Sequence, residues 1–195
     1  MQRTLPALFL LLLTHCASAQ QDKVETAFSN SLEMPLVRVA SIGVLVCRYE
    51  TRVKDYQPFA TAMNVEWKKP EFPQTADHPA IHVSFAEAQA FCEWLGKKEG
   101  RKYRLLTDQE WSTLAGLQEK ADIAPNQQPP STGVHHWGKA PLSNTVGNFC
   151  DEAFGKKYRN SYDAKWLEMD DGYPDTAPVG SYPADANGLY DFAGN

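Results

Sequence analysis

No stretch of this 195-residue chain is strongly basic, and none is apolar for long. Without a run of Lys and Arg there is nothing to neutralise a phosphate backbone, and the aromatic residues are spread out instead of interleaved with cations. A nucleic-acid partner is therefore not expected. The longest apolar run, 5–13, is about half of the roughly 20 residues a spanning helix needs. Cysteine is scarce: there are four, and no two have a recognisable redox spacing. There is no internal repeat and no heptad, and the length suits one domain with a core of its own.

The flanks of the apolar run give it a meaning. Arg3 supplies a positive start, and Ala17-Ser18-Ala19 ahead of Gln20 fits a small-x-small cleavage site. Residues 1–19 are therefore expected to be a signal peptide, and the mature protein to be secreted or periplasmic with no membrane attachment. Cys16 raises a lipoprotein alternative, but His15 before it is a poor fit to a lipobox. Mass spectrometry of exported protein should find Gln20 at the N-terminus, and an acylated Cys16 would overturn that expectation. Loss of Arg3 leaves 18 basic against 24 acidic side chains, a net charge of −6. Cys47, Cys92 and Cys150 remain. In an oxidising compartment an odd count implies a free thiol, an intermolecular bridge or a partner outside the sequence.

A polar leader, 20–29, precedes the first regular pattern. The stretch LVRVASIGVLVCRY, 36–49, is rich in β-branched residues broken by Ala-Ser-Ile-Gly, which predicts two strands and a turn. Val53, Tyr56, Phe59, Ala60 and Met63 then recur at three and four, one face of a helix starting near Thr51. Three prolines in 67–79 forbid regular structure there. Ser84 with Glu87, and Thr107 with Glu110, have the spacing of capping boxes and open two further helices. The first should bury Phe85, Ala88, Phe91, Cys92 and Leu95 and close at Gly100; the second should bury Trp111, Leu114 and Ala115. A short strand, 102–105, is predicted between them, and helical periodicity fades beyond Gln118. His78 and His82 would share a helix face, but Pro79, Ile81 and Val83 favour an extended segment that holds them about 13 Å apart. Zinc is not expected there.

Several landmarks stand in order: HPAIHVSFAEAQAFCEWLGKKEGRKYRLLTDQEW, then HHWG, then GNF, then DDGYPDTAPVGSYPADANGLYDFAGN. Together they resemble the formylglycine-generating enzyme, or sulfatase-modifying factor, family from about Asn30 to Asn195. Leu106, Phe85 and the pair His135-His136 depart from the usual pattern, where Pro, Trp and an aromatic-Pro pair are common. The resemblance implies an α+β, C-type-lectin-like domain over 30–195, with two helices on small antiparallel sheets and much irregular backbone. In copper-dependent members, two cysteines near the C-terminal end hold Cu(I), which soft thiolates suit, and O2 oxidises a substrate cysteine to formylglycine. The family pattern runs on from Gly194-Asn195 through V-W-E-W into the cysteine-bearing block, so this chain is expected to be short of it and inactive alone. Copper is expected only if that block supplies a cysteine pair, and no catalytic residue can be named. Cys92 matches a helix cysteine that forms a disulfide with a downstream partner in eukaryotic members; read by itself, it is a small buried hydrophobe.

Calcium is also implied by the resemblance. One site would take the Asn148 side chain, the Phe149 carbonyl, the Asp171 side chain and the Tyr173 carbonyl, and a second would begin with Asp191 and the Gly194 carbonyl. All are the oxygen donors a hard cation wants. Read without the family, Asn148 and the Asp171-Gly172 pair are turn residues. Two functions follow as expectations. One is an exported oxidoreductase-like protein acting on cysteine or a related thiol, with a sulfatase or another exported protein as partner. The other is a non-catalytic, calcium-stabilised lectin-like module, since a fold does not fix chemistry.

Overall fold

The computed structural model describes residues 24–117, 123, 127, 135, 137, 141–143, 145–161 and 165–195. The expected signal peptide, His136 and Gly138 lie outside the described residues. Among those described, no helix is long and apolar enough to cross a membrane.

The first elements among the described residues form a three-stranded antiparallel sheet in the order β1 (Phe28–Ser29), β2 (Pro35–Val39), β3 (Val44–Cys47). The two strands predicted within 36–49 are β2 and β3, paired Leu36 with Cys47 through Val39 with Val44. Val37, Val39 and Val46 lie in a cluster with Leu114 and Leu189, whereas Cys47 lies with Met34 in a second cluster against the helices. Alternation along the strands puts these residues on opposite faces, so the small sheet separates two apolar clusters.

Helix α1 (Val53–Ala62) follows, and Tyr56, Phe59 and Ala60 are buried as its period requires. Met63 falls at the cap and is 56% exposed, because the helix stops before it can join the stripe. A buried ion pair that the sequence pattern does not announce locks the start of α1. The Asp55 carboxylate accepts from the Arg52 N–H at 2.9 Å and from Arg52 Nε at 2.8 Å. The proline-rich loop is irregular, as predicted, and is stitched to this corner by Val53 N–H to the His78 carbonyl and Ala80 N–H to the Thr51 carbonyl. His78 Nδ1 accepts from Thr75 N–H at 3.0 Å, and His82 is exposed. The pair forms no common site.

Helices α2 (Phe85–Glu99) and α3 (Asp108–Leu114) begin at the predicted capping boxes, with Ser84 Oγ and Thr107 Oγ1 accepting from the N–H groups of Glu87 and Glu110. Gly100 closes α2 at φ 65°, a conformation that costs glycine least. Phe91 and Leu95 pack with Tyr56 and Phe59 of α1 in one aromatic-rich cluster. Two residues predicted to be inward are not. Phe85 is 70% exposed because it starts α2 beyond the reach of α1, and Trp111 is 47% exposed, lying flat against Phe192 at 5.3 Å.

The predicted strand 102–105 forms no ladder. The Arg48 N–H bonds the Pro35 carbonyl at 2.8 Å, so alternation turns the backbone groups of Val44 and Val46 to β2 and those of Leu45 and Cys47 to the open edge. A cleft of about 1480 Å³ lies between that edge, the segment 101–108 and the segment 189–195. The cleft keeps 102–105 from pairing with β3.

A fourth helix, α4 (Glu152–Tyr158), lies where the sequence predicts no helical period. It is only seven residues long, too short for a periodic stripe, and is fixed by its ends. Gly155 in its middle lies under the Trp166 ring, which a Cβ would meet at 2.4 Å. Gly155→Ala should therefore lower stability by about 1–2 kcal/mol, since overpacking of roughly 1–3 kcal/mol exceeds the helix-propensity gain of about 1 kcal/mol. Urea denaturation checks this, and an unchanged or raised midpoint would show that Trp166 moves freely.

Candidate metal centre

Asp151 organises the loops around α4. Its side chain is fully buried, and Oδ1 accepts from the N–H groups of Ala153 at 2.8 Å and Phe154 at 3.4 Å, capping the helix. Its Oδ2 accepts from the Asp171 N–H at 2.5 Å. Backbone bonds from Leu167 to Cys150 and from Glu152 to Met169, both 2.9 Å, bring the returning chain beside the loop that precedes α4. Asp171 is thereby placed next to Phe149.

The first four sequence-predicted residues meet here. Asp171 Oδ2 accepts from the Phe149 N–H at 2.7 Å and Oδ1 from the Tyr173 N–H at 3.0 Å. Asn148 points its Nδ2 inward, to Asn195 Oδ1 at 3.2 Å and to the Asp175 carbonyl. That leaves Asn148 Oδ1 and the carbonyls of Phe149 and Tyr173 with no hydrogen bond among the described residues. Each Asp171 oxygen keeps a spare lone pair. Burial raises the Asp171 carboxyl above the usual range, with Asp151 and Asp170 adding to the effect and the two backbone N–H groups opposing it. A cation would reverse that balance, because it favours the ionised form.

Asp191 and Gly194 are adjacent to this group, since the Gly194 carbonyl accepts from the Asn148 N–H at 3.1 Å. The approach is close enough that a Cβ on Gly194 would meet the Asn148 carbonyl oxygen at 2.9 Å, so glycine is required there. Asp191 is 7% exposed; its Oδ2 accepts from the Gly180 N–H at 2.7 Å and its Oδ1 has no partner. A buried, bare carboxylate oxygen is costly, and it is the strongest sign that the residues fit a bound cation. Among the described residues no three His, Cys, Asp or Glu side chains converge as a metal cluster. The oxygen set described here draws mainly on carbonyl and amide donors, which suit calcium and not a thiolate or imidazole metal.

Sequence reasoning missed four participants. Asp151 carried a readable signal, an N-cap acid before a short helix. Asp175, which looks like a bystander in the motif, binds Lys157 and the Tyr158 hydroxyl. Asn195 has every side-chain valence used: Nδ2 donates to Glu50 at 3.1 Å and the Ala177 carbonyl at 3.0 Å, and Oδ1 accepts from Ala177 at 2.6 Å and Asn148. Glu50 stands at the cleft beside Asp191; burial first, and Asp191 second, push its carboxyl up to about 7, against the Asn195 hydrogen bond.

The thiols have a different character. Burial pushes Cys47 up to about 12 and also raises Cys92, while Cys150 is exposed.

The fold and the site define an α+β domain in which the described residues from 145 onward, apart from α4, are irregular backbone gathered around buried carboxylates. A family model described as the sulfatase-modifying factor enzyme 1-like domain matches residues 27–195, and the chain belongs to that family. It is 34% identical over 140 residues to a mouse formylglycine-generating enzyme and 31% identical over 140 residues to one from Thermomonospora curvata. Each match takes in 66% of this chain, but only 30% of the mouse protein and 36% of the bacterial one. A bovine protein named inactive C-alpha-formylglycine-generating enzyme 2 is 28% identical over 135 residues. Among solved structures, PvdO from Pseudomonas aeruginosa superposes with a TM-score of 0.53 at 24% identity, covering 84% of this chain and 55% of that one. At that identity the likeness speaks for the fold alone.

Proposed function

We propose that this chain forms the calcium-held, C-type-lectin-like scaffold of an exported protein that acts in the manner of the formylglycine-generating enzymes, on a cysteine of a sulfatase or another exported protein. The observation that carries the reading is the meeting of Asn148, Phe149, Asp171 and Tyr173 around unpaired oxygens within the family-matched region. Calcium there would neutralise the buried Asp171 carboxylate and tie the loop before α4 to the segment 171–173. Asp191 and Gly194 would contribute to a second ion.

Oxidation of a cysteine in this family belongs to a Cu(I) bound by two thiolates. Cys47 and Cys92 are held protonated by burial, which opposes that role. On this reading copper binds a cysteine pair that these three thiols do not supply, and the 195 residues are inactive by themselves. The test is direct. A cysteine peptide with a sulfatase sequence, incubated with the chain, copper and oxygen, should show no aldehyde by mass spectrometry; aldehyde formation would contradict the assignment of the thiols.

A second reading is favoured by the similarity to a relative named as inactive. It makes the domain a calcium-stabilised binding module with no catalysis. Capture of a sulfatase without its modification, by a longer form of the protein that carries the matched domain, would favour this reading over the first.

A further inference from the structure

The cleft beside β3 is bordered by backbone that lacks partners. The N–H and carbonyl groups of Leu45 and Cys47 face it, and none of them forms a hydrogen bond among the described residues. Across the cleft the same holds for the N–H and carbonyl groups of Lys102, Tyr103 and Arg104. The sheet therefore ends in an open edge that a further strand can join. The walls are apolar: Phe91 and Leu95 of α2 line the cleft from one cluster, and Leu106 and Leu189 line it from the cluster on the other face of the sheet. Tyr56 lines it as well, is 1% exposed, and has a hydroxyl with no partner. A buried hydroxyl without a partner is costly, and a peptide group laid beside it would supply one.

We propose that the cleft binds an extended, uncharged and apolar segment of another polypeptide, inserted as a strand between β3 and 102–105. This rests on the reading that the protein acts on or holds another exported protein, and it adds the manner in which that chain is gripped. Two rows of unpaired N–H and carbonyl groups require a ligand with donors and acceptors at regular spacing, which describes a peptide main chain. A strand beside β3 continues the plane of the sheet, so its alternate side chains meet the two apolar clusters that the sheet separates. Both of its faces must then be apolar. β3 is four residues long, so a segment of about six residues covers it with one to spare at each end. A second copy of this chain offers no such strand among its described residues, since β1, the other edge of the sheet, has two residues and the β3 edge lies inside the cleft.

The experiment uses a capped hexapeptide, Thr-Val-Leu-Val-Ile-Thr, and two forms of it N-methylated at alternate amides, one form blocking each edge of the strand. None contains cysteine, so binding is independent of any oxidation. Amide hydrogen exchange of the 195-residue chain, read by NMR, follows the complex. The parent peptide at saturation should slow exchange at Leu45, at Cys47 and at one or more of Lys102, Tyr103 and Arg104 by at least about tenfold. Both N-methylated forms keep the side chains but lose the donors for one edge, so each should bind at least about tenfold more weakly. Ala88 is half-buried on the α2 wall of the cleft. Ala88→Arg should abolish the protection and leave the midpoint without peptide within about 2 °C of wild type. Equal binding of the parent and methylated peptides would overturn the inference, because burial alone would then hold them. Leu45 and Cys47 amides already protected without peptide would overturn it as well, since this chain or a second copy would then fill the slot. Aldehyde formation or sulfatase capture by a longer form, with no protection of these amides by the parent peptide, would overturn it and leave the proposed function standing.

Discussion

Asp151→Ala should destabilise the protein by about 3 to 5 kcal/mol, the largest loss expected from any single side chain in the site. The carboxylate is fully buried and accepts from three backbone N–H groups, two at the start of α4 and one from Asp171. Losing an N-cap costs about 1 kcal/mol, and each buried N–H left without an acceptor costs roughly 1–3 kcal/mol more. For a domain of this size each kcal/mol lowers the melting midpoint by about 2–4 °C, so a fall of roughly 10 °C is expected. Asp151→Asn keeps one acceptor oxygen and should recover part of it. A variant melting with the wild type would mean that α4 and the loop before it are held by something other than Asp151.

The same residue shows where sequence reading succeeded and where it stopped. The capping boxes at Ser84 and Thr107, the hairpin and the buried face of α1 are local patterns, set by residues within one or two turns of each other, and each was legible. Strand 102–105 was not, because a strand exists only when an edge lies beside it, and the cleft lies there instead. Phe85 and Trp111 have the right period but sit at helix positions that stay largely open to solvent, with Trp111 covered on one face by Phe192. In the site, the family resemblance named Asn148, Phe149, Asp171 and Tyr173, and the hydrogen bonds of Asp171 make these residues neighbours. It gave no hint of Glu50, which lies 145 positions from Asn195 and meets it only through folding. The Arg52 and Asp55 pair was invisible for a related reason: an Arg three residues before an Asp is commonplace on a helix, and only burial makes this one costly to break.

Calcium should raise the melting midpoint by about 5–10 °C for each ion bound only by the folded state. At roughly 100 times its dissociation constant such an ion adds about 2.7 kcal/mol, and the conversion of about 2–4 °C per kcal/mol again applies. Asp171→Ala should lose the share that belongs to the first site, because the remaining donors there are neutral. The variant also loses acceptors for the Phe149 and Tyr173 N–H groups, so the comparison is the shift between calcium and EDTA within each protein, not the midpoints themselves. Glu66→Ala, which removes an exposed carboxylate remote in sequence from the site, serves as the control for net charge. Equal calcium shifts in wild type, Asp171→Ala and Glu66→Ala would place the ion elsewhere.

Anomalous diffraction from crystals of the protein grown with calcium tests the central claim most directly, because it locates the ion instead of inferring it from stability. The account predicts a peak at about 2.3–2.6 Å from Asn148 Oδ1, the Phe149 carbonyl, an Asp171 oxygen and the Tyr173 carbonyl. A map with no peak among those four residues, at a calcium concentration that saturates the thermal shift, would contradict it.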